Sequence, residues 1–177
     1  MSKNNLFRFG GLAVILGVVL MFASYALPAL LAVGGLLLAV FYYALYRFFG
    51  DKSPSLNLSA VVLGVVGSIL FVIALLMNKT TGILYNLAYL AAFFLAPLLF
   101  SLLVYRNSSL SRLLAIFGIV AGVFGFLNFV ITTIGGGDYM NPNNPALNPL
   151  INVTYYVGML ASIGWMIWSG IILLPKD

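Results

Sequence analysis

Long uncharged apolar runs occupy most of this chain and constrain it more than any other feature. A helix needs about 20 consecutive apolar residues to cross the hydrocarbon core of a bilayer. The first run, from Phe9 to about Tyr46, is too long for one such helix and long enough for two. Ser24, Tyr25 and Pro28 place a turn in its middle, which predicts helices over about 9–26 and 28–49. The polar stretch Gly50-Asp51-Lys52-Ser53-Pro54-Ser55 ends the second, and a third is predicted over about 58–77, stopping at Asn78-Lys79-Thr80. The fourth covers about 82–105 with Pro97 inside it. After Arg106-Asn107-Ser108-Ser109 comes the fifth, about 111–134, ended by Gly135-Gly136-Gly137. A Pro- and Asn-rich loop leads to the sixth, about 150–174. The expected fold class is all-α, a polytopic transmembrane bundle of six spans in a single domain over 1–177.

Composition points the same way. Charged residues make up 6% of the chain and hydrophobic ones 63%, where a soluble domain carries roughly 25% charged residues. Eight Lys plus Arg and three Asp plus Glu cannot cover a globule in water, which excludes a soluble enzyme, a nucleic-acid binder and a disordered chain. There is no Cys and no His, which removes disulfides, thiolate nucleophiles, iron–sulfur and His-ligated haem sites, and the usual zinc sites. No cofactor is expected.

The net charge of +5 is explained by topology rather than by an acidic partner. Lys3 and Arg8 precede the first span, Arg47 and Lys52 lie between the second and third, Arg106 and Arg112 between the fourth and fifth, and Lys176 follows the sixth. All of these fall on one side, and Lys79 alone falls on the other. The positive-inside rule then predicts a cell-membrane protein with both termini in the cytoplasm, which needs an even number of spans. Tyr42, Tyr43, Tyr46 and Tyr105 fall near the expected inner boundary, and Tyr25, Tyr85, Tyr155 and Tyr156 near the outer one, as interfacial belts do. An aromatic cage around a ligand is the other use of such tyrosines. The first segment has the charges and apolar run of a signal peptide but no clean small-x-small cleavage site, so it is read as a retained helix.

A weak internal repeat is visible. Leu63-Gly-Val-Val-Gly-Ser-Ile-Leu resembles Phe117-Gly-Ile-Val-Ala-Gly-Val-Phe with Gly64 and Gly118 in register, and each follows a Tyr-Arg pair, Tyr46-Arg47 and Tyr105-Arg106. This describes a two-helix unit repeated in the same orientation, unlike the inverted repeats of many transporters.

No Asp, Glu, Lys or Arg lies within the expected core of any span, which argues against proton-coupled transport through a carboxylate. The candidate polar lining within the spans is Asn86, Asn128 and Thr132, the last two sharing a helix face at a spacing of four. Their plain use is interhelical hydrogen bonding. Pro97 leaves the carbonyl of Phe93 without its helical donor and predicts a kink. Two stripes of small residues are candidate helix-packing faces: Ala60, Gly64 and Ser68 on the third span, and Gly118, Gly122 and Gly125 on the fifth. They serve packing within the chain or, in the sharper reading, a homo-oligomer or a membrane-protein partner. The outward loop over 135–149 is the one long connection, suited to an exposed connector or to a partner contact. No phosphate-binding loop, GxSxG elbow, HExxH or dinucleotide fingerprint occurs, so no enzyme is expected.

Two stretches carry a resemblance. Leu110-Ser-Arg-Leu-Leu-Ala-Ile-Phe-Gly-Ile-Val-Ala-Gly and Trp165-Met-Ile-Trp168-Ser-Gly-Ile-Ile-Leu-Leu resemble segments of the small six-helix bacterial membrane proteins grouped as domain of unknown function 4386. The resemblance covers about a third of the chain and implies the six-helix count. It implies no activity and no site residues.

The functional expectation is a non-catalytic integral membrane protein, an accessory or scaffold subunit of a membrane assembly with lipid as its first partner. The alternative is a carrier or channel for a small neutral or apolar solute.

Overall fold

The computed structural model describes residues 3–24, 29–77, 82–106, 110–135 and 145–174. Its six long helices are α1 (Lys3–Ala23), α2 (Ala29–Phe49), α3 (Pro54–Leu76), α4 (Ile83–Arg106), α5 (Arg112–Ile134) and α6 (Asn148–Leu173). Each is long and apolar enough to span a membrane. Each packs against the next, and α1 closes on α6, so the chain runs round the bundle in sequence order. The helix α4 is the most enclosed, with 67% of its most apolar stretch buried against 39–44% for the other five.

Several boundaries differ from the sequence expectation. The helix α1 begins at Lys3 instead of 9 and ends at Ala23 instead of 26, so Arg8 lies on an exposed face of its second turn. The helix α3 begins at Pro54 instead of 58, because Pro54 takes the first-turn position, where its missing N–H costs nothing. Asn57 then turns inward and donates from Nδ2 to the carbonyls of Tyr46 (3.0 Å) and Gly50 (2.8 Å), tying the end of α2 to the start of α3. The helix α6 starts at Asn148, after a 3-10 turn over Pro145–Leu147, so Asn148 and Pro149 belong to the span and not to the loop. Lys79, Asp138 and most of the 135–149 connection lie outside the described residues.

The exterior shows why such a bundle suits lipid. On α3, Leu58, Val62, Val66, Ile69, Ile73 and Leu76 are exposed at spacings of three and four, one continuous apolar stripe. The opposite stripe of the same helix, with Ala60, Gly64, Gly67 and Ser68, is buried. The small residues of this helix therefore face inward, and most of its large apolar side chains, Phe71 and Val72 apart, face outward.

The helix α4 contains a π turn over Ala91–Leu95, in which the N–H of Ala96 bonds the carbonyl of Ala91. Pro97 follows it directly. Lacking an N–H, Pro97 cannot serve the carbonyl of Phe93 in an α ladder or that of Ala92 in a π ladder. Both carbonyls receive side-chain donors from other helices: Ser162 Oγ of α6 donates to Phe93 O at 2.6 Å, and the Tyr42 hydroxyl of α2 donates to Ala92 O.

The internal repeat has a structural counterpart. Both α3 and α5 run for 23 residues. Gly64 packs on the ring of Tyr42, and Gly118 packs on Ser101. Tyr42 and Ser101 each stand four residues before the Tyr of their Tyr-Arg pair, so the two hairpins make the same contact at matching positions.

Candidate functional site

Both small-residue stripes are spent inside the chain. A Cβ on Gly118 would collide with Ser101 Oγ and lie 2.8 Å from both the Pro97 carbonyl and Trp165 Cδ1. One on Gly122 would lie 2.5 Å from Leu98 Cβ, and one on Gly125 would enter the ring of Phe94. The α5 stripe is thus the seat of α4 at its kink. On α3, Ala60 and Ser68 are buried and Gly64 admits Tyr42. Gly67 is an addition that the sequence reading passed over: a Cβ there would lie 2.8 Å from the backbone N of Ala92, in the π turn.

The polar residues of the spans also face helices. Asn128 Nδ2 donates to Ile151 O (3.0 Å) and to Thr154 Oγ1 (3.1 Å), fastening α5 to α6. Thr132 Oγ1 donates back to Asn128 O (2.9 Å) in its own helix. Asn86 is buried, and among the described residues its Oδ1 has no hydrogen-bond partner. The structure brings Asn128 and Thr132 together but places none of the three on the cavity described next.

That cavity, of about 210 Å³, opens between α1, α2, α3, α4 and α6. Its walls are Val18, Met21, Phe22 and Ser24 of α1 and the segment after it, Leu31 of α2, Phe71 of α3, Tyr85, Tyr89 and Phe93 of α4, and Tyr155, Met159, Ile163 and Met166 of α6. A glycine contact brings two of these helices together at the far end. A Cβ on Gly11 would lie 2.6 Å from the Gly170 carbonyl, so α1 and α6 touch backbone to backbone near one end. Farther along the same helices, Met21 and Phe22 of α1 and Tyr155 and Met159 of α6 line the cavity.

One wall is an aromatic ladder along a single face of α4. Tyr85 and Tyr89 stack at 6.1 Å, Tyr89 and Phe93 at 4.5 Å, and Phe71 meets Phe93 edge-on at 5.3 Å. Across it, the Tyr89 hydroxyl lies 3.4 Å from that of Tyr155 and donates to Met159 Sδ at 3.3 Å. Among the described residues of the lining none carries a charge.

Beyond Met166, aromatic rings from three helices pack on one another. Tyr42 and Phe100 stack at 6.0 Å with rings 4° from parallel. Trp165 stacks on Phe100 at 6.4 Å and meets Phe41 edge-on at 6.0 Å, joining α2, α4 and α6 in one buried aromatic layer.

The tyrosine belts divide accordingly. Tyr43, Tyr105 and Tyr156 are exposed, as belt residues are. Tyr42 is instead fully buried because its hydroxyl serves the π turn, and Tyr85 and Tyr155 face the cavity. Tyr25 lies outside the described residues. Sequence reasoning missed Ser162 and the trio Met21, Met159 and Met166. The orphan Phe93 carbonyl signalled that a donor was needed, but nothing local named Ser162.

Among the described residues no group of three or more His, Cys, Asp or Glu stands together. In comparisons with known proteins, the chain matches no family model, no curated protein and no solved structure.

Proposed function

We propose that this chain is a non-catalytic, multi-pass protein of the cell membrane, with both termini in the cytoplasm, acting as an accessory or scaffold subunit of a membrane assembly. The observation that carries the reading is the aromatic layer of Phe41, Tyr42, Phe100 and Trp165, buried where α2, α4 and α6 meet. A channel needs a continuous route, and a carrier needs one that opens alternately to either side. This layer, built of interlocked rings with no charge, weighs against both. Arg8, Arg47, Lys52, Arg106 and Arg112 gather at the end of the bundle where α2 meets α3 and α4 meets α5, which supports a cytoplasmic assignment for that end.

With the small-residue stripes filled from within, the surface left for a partner is the outer apolar face. Purification from native membranes in mild detergent, followed by native mass spectrometry, tests the proposal. A stoichiometric partner subunit is expected. A lone protomer that moves solute across proteoliposomes would overturn it.

A further inference from the structure

The aromatic cavity is more than slack packing. Close-packed interiors leave few voids larger than a water molecule, and an apolar cavity of about 150 Å³ already admits benzene. At about 210 Å³ this one has room for one substituted ring or two fused rings. Its walls suit a ring: the Tyr85–Tyr89–Phe93 ladder offers aromatic faces and edges, while Met21, Met159 and Met166 are unbranched, polarizable and able to shift around a guest. Among the described lining residues none carries a charge, so an ionised ligand held against them would be buried without a counter-charge, and the ligand that suits these walls is neutral. The Tyr89 and Tyr155 hydroxyls meet at the wall, with the Tyr89 proton directed to Met159 Sδ, so the polar contact they give an otherwise apolar body is an oxygen lone pair that accepts from a ligand hydroxyl. At the rim, Phe22 is 56% exposed on the outward side of α1, so the cavity reaches the surface that faces lipid in the membrane reading.

We propose that this cavity is a binding site for a neutral aromatic ring bearing a hydroxyl, held against Tyr89 and Phe93 with its hydroxyl donating toward the oxygens of the Tyr89–Tyr155 pair. The proposal goes beyond an accessory role and does not depend on it. The same ring chemistry is found in free aromatic solutes and in ring-headed membrane lipids.

The test uses purified full-length protein in detergent, titrated with 2-naphthol and with 2-naphthalenesulfonate and followed by calorimetry and thermal unfolding. Saturable binding of 2-naphthol, at least tenfold tighter than the sulfonate, is expected. Met159→Trp and Ile163→Phe each fill the space from α6, and binding is expected to weaken at least tenfold in whichever variant retains the wild-type unfolding profile. Equal binding in a folded variant would mean partition into micelles and would overturn the site. Equal affinity for the sulfonate would overturn the neutral class. 4-Decylphenol against 4-methylphenol distinguishes the sources: tighter binding of the tailed ring that is lost in the folded space-filling variant assigns the membrane lipid, and equal binding of the two overturns that source in favour of a free solute.

Discussion

Ser162 on α6 donates its hydroxyl to the carbonyl of Phe93 on α4, 69 residues away in the chain, at 2.6 Å. Proline chemistry makes this bond necessary, since Pro97 withdraws the helical donor that Phe93 would otherwise have. In lipid no water stands ready to replace it. Ser162→Ala is therefore expected to lower stability by about 1–2 kcal/mol, toward the upper end for interhelical bonds in membranes. Pro97→Ala returns an N–H four residues after Phe93, so the double variant should lose less than Ser162→Ala alone. Equal losses in thermal unfolding would break the link between the two residues.

The α5 stripe predicts a fold defect, not an association defect. Gly118→Ala places a methyl against Ser101 Oγ and the rigid Pro97 carbonyl, and overpacking of this kind costs about 1–3 kcal/mol. Gly17→Ala meets the Gly34 carbonyl only at 3.3 Å and should be tolerated far better. Unfolding midpoints would rank the two. A Gly118→Ala protein of unchanged stability but altered oligomeric state would reverse the assignment.

Asn128 separates packing from ligand binding. Asn128→Leu removes the donors to Ile151 O and Thr154 Oγ1 and should cost about 0.6 kcal/mol, the average for such bonds in a membrane bundle. Because Asn128 does not line the cavity, 2-naphthol affinity should stay within twofold of wild type. A larger loss of affinity would move the site toward α5.

The absence of cysteine makes orientation directly measurable. Asp51→Cys and Met77→Cys put single thiols at exposed positions on opposite ends of α3. In intact cells a membrane-impermeant maleimide should label Met77→Cys and spare Asp51→Cys until the membrane is opened. The opposite pattern would invert the topology.

Several structural features were already visible in the sequence, each for a local reason. The six helices follow from apolar runs whose length is set by the rise per residue. The Phe93 carbonyl was identifiable as an orphan because proline chemistry is local. The site was much less legible. Asn86, Asn128 and Thr132 stood out as the polar residues of the spans, yet Asn128 and Thr132 are taken up by bonds within α5 and to α6, Asn86 is buried away from the cavity, and the cavity is lined mainly by Met, Phe and Tyr. Composition cannot tell a methionine that fills a gap from one that borders it.

By itself the sequence determined the all-α class, the number of long apolar helices and their rough limits, because hydropathy is a sum over neighbouring residues. Tertiary structure alone decided what the small-residue faces of α3 and α5 pack against, which donors close the π turn of α4, and where packing fails. The Gly11–Gly170 contact brings α1 and α6 together at one end, while farther along Met21, Phe22, Tyr155 and Met159 of the same two helices border the cavity with residues of α2, α3 and α4. A void of this kind is a mismatch between surfaces far apart in the chain, so it exists only once the helices meet.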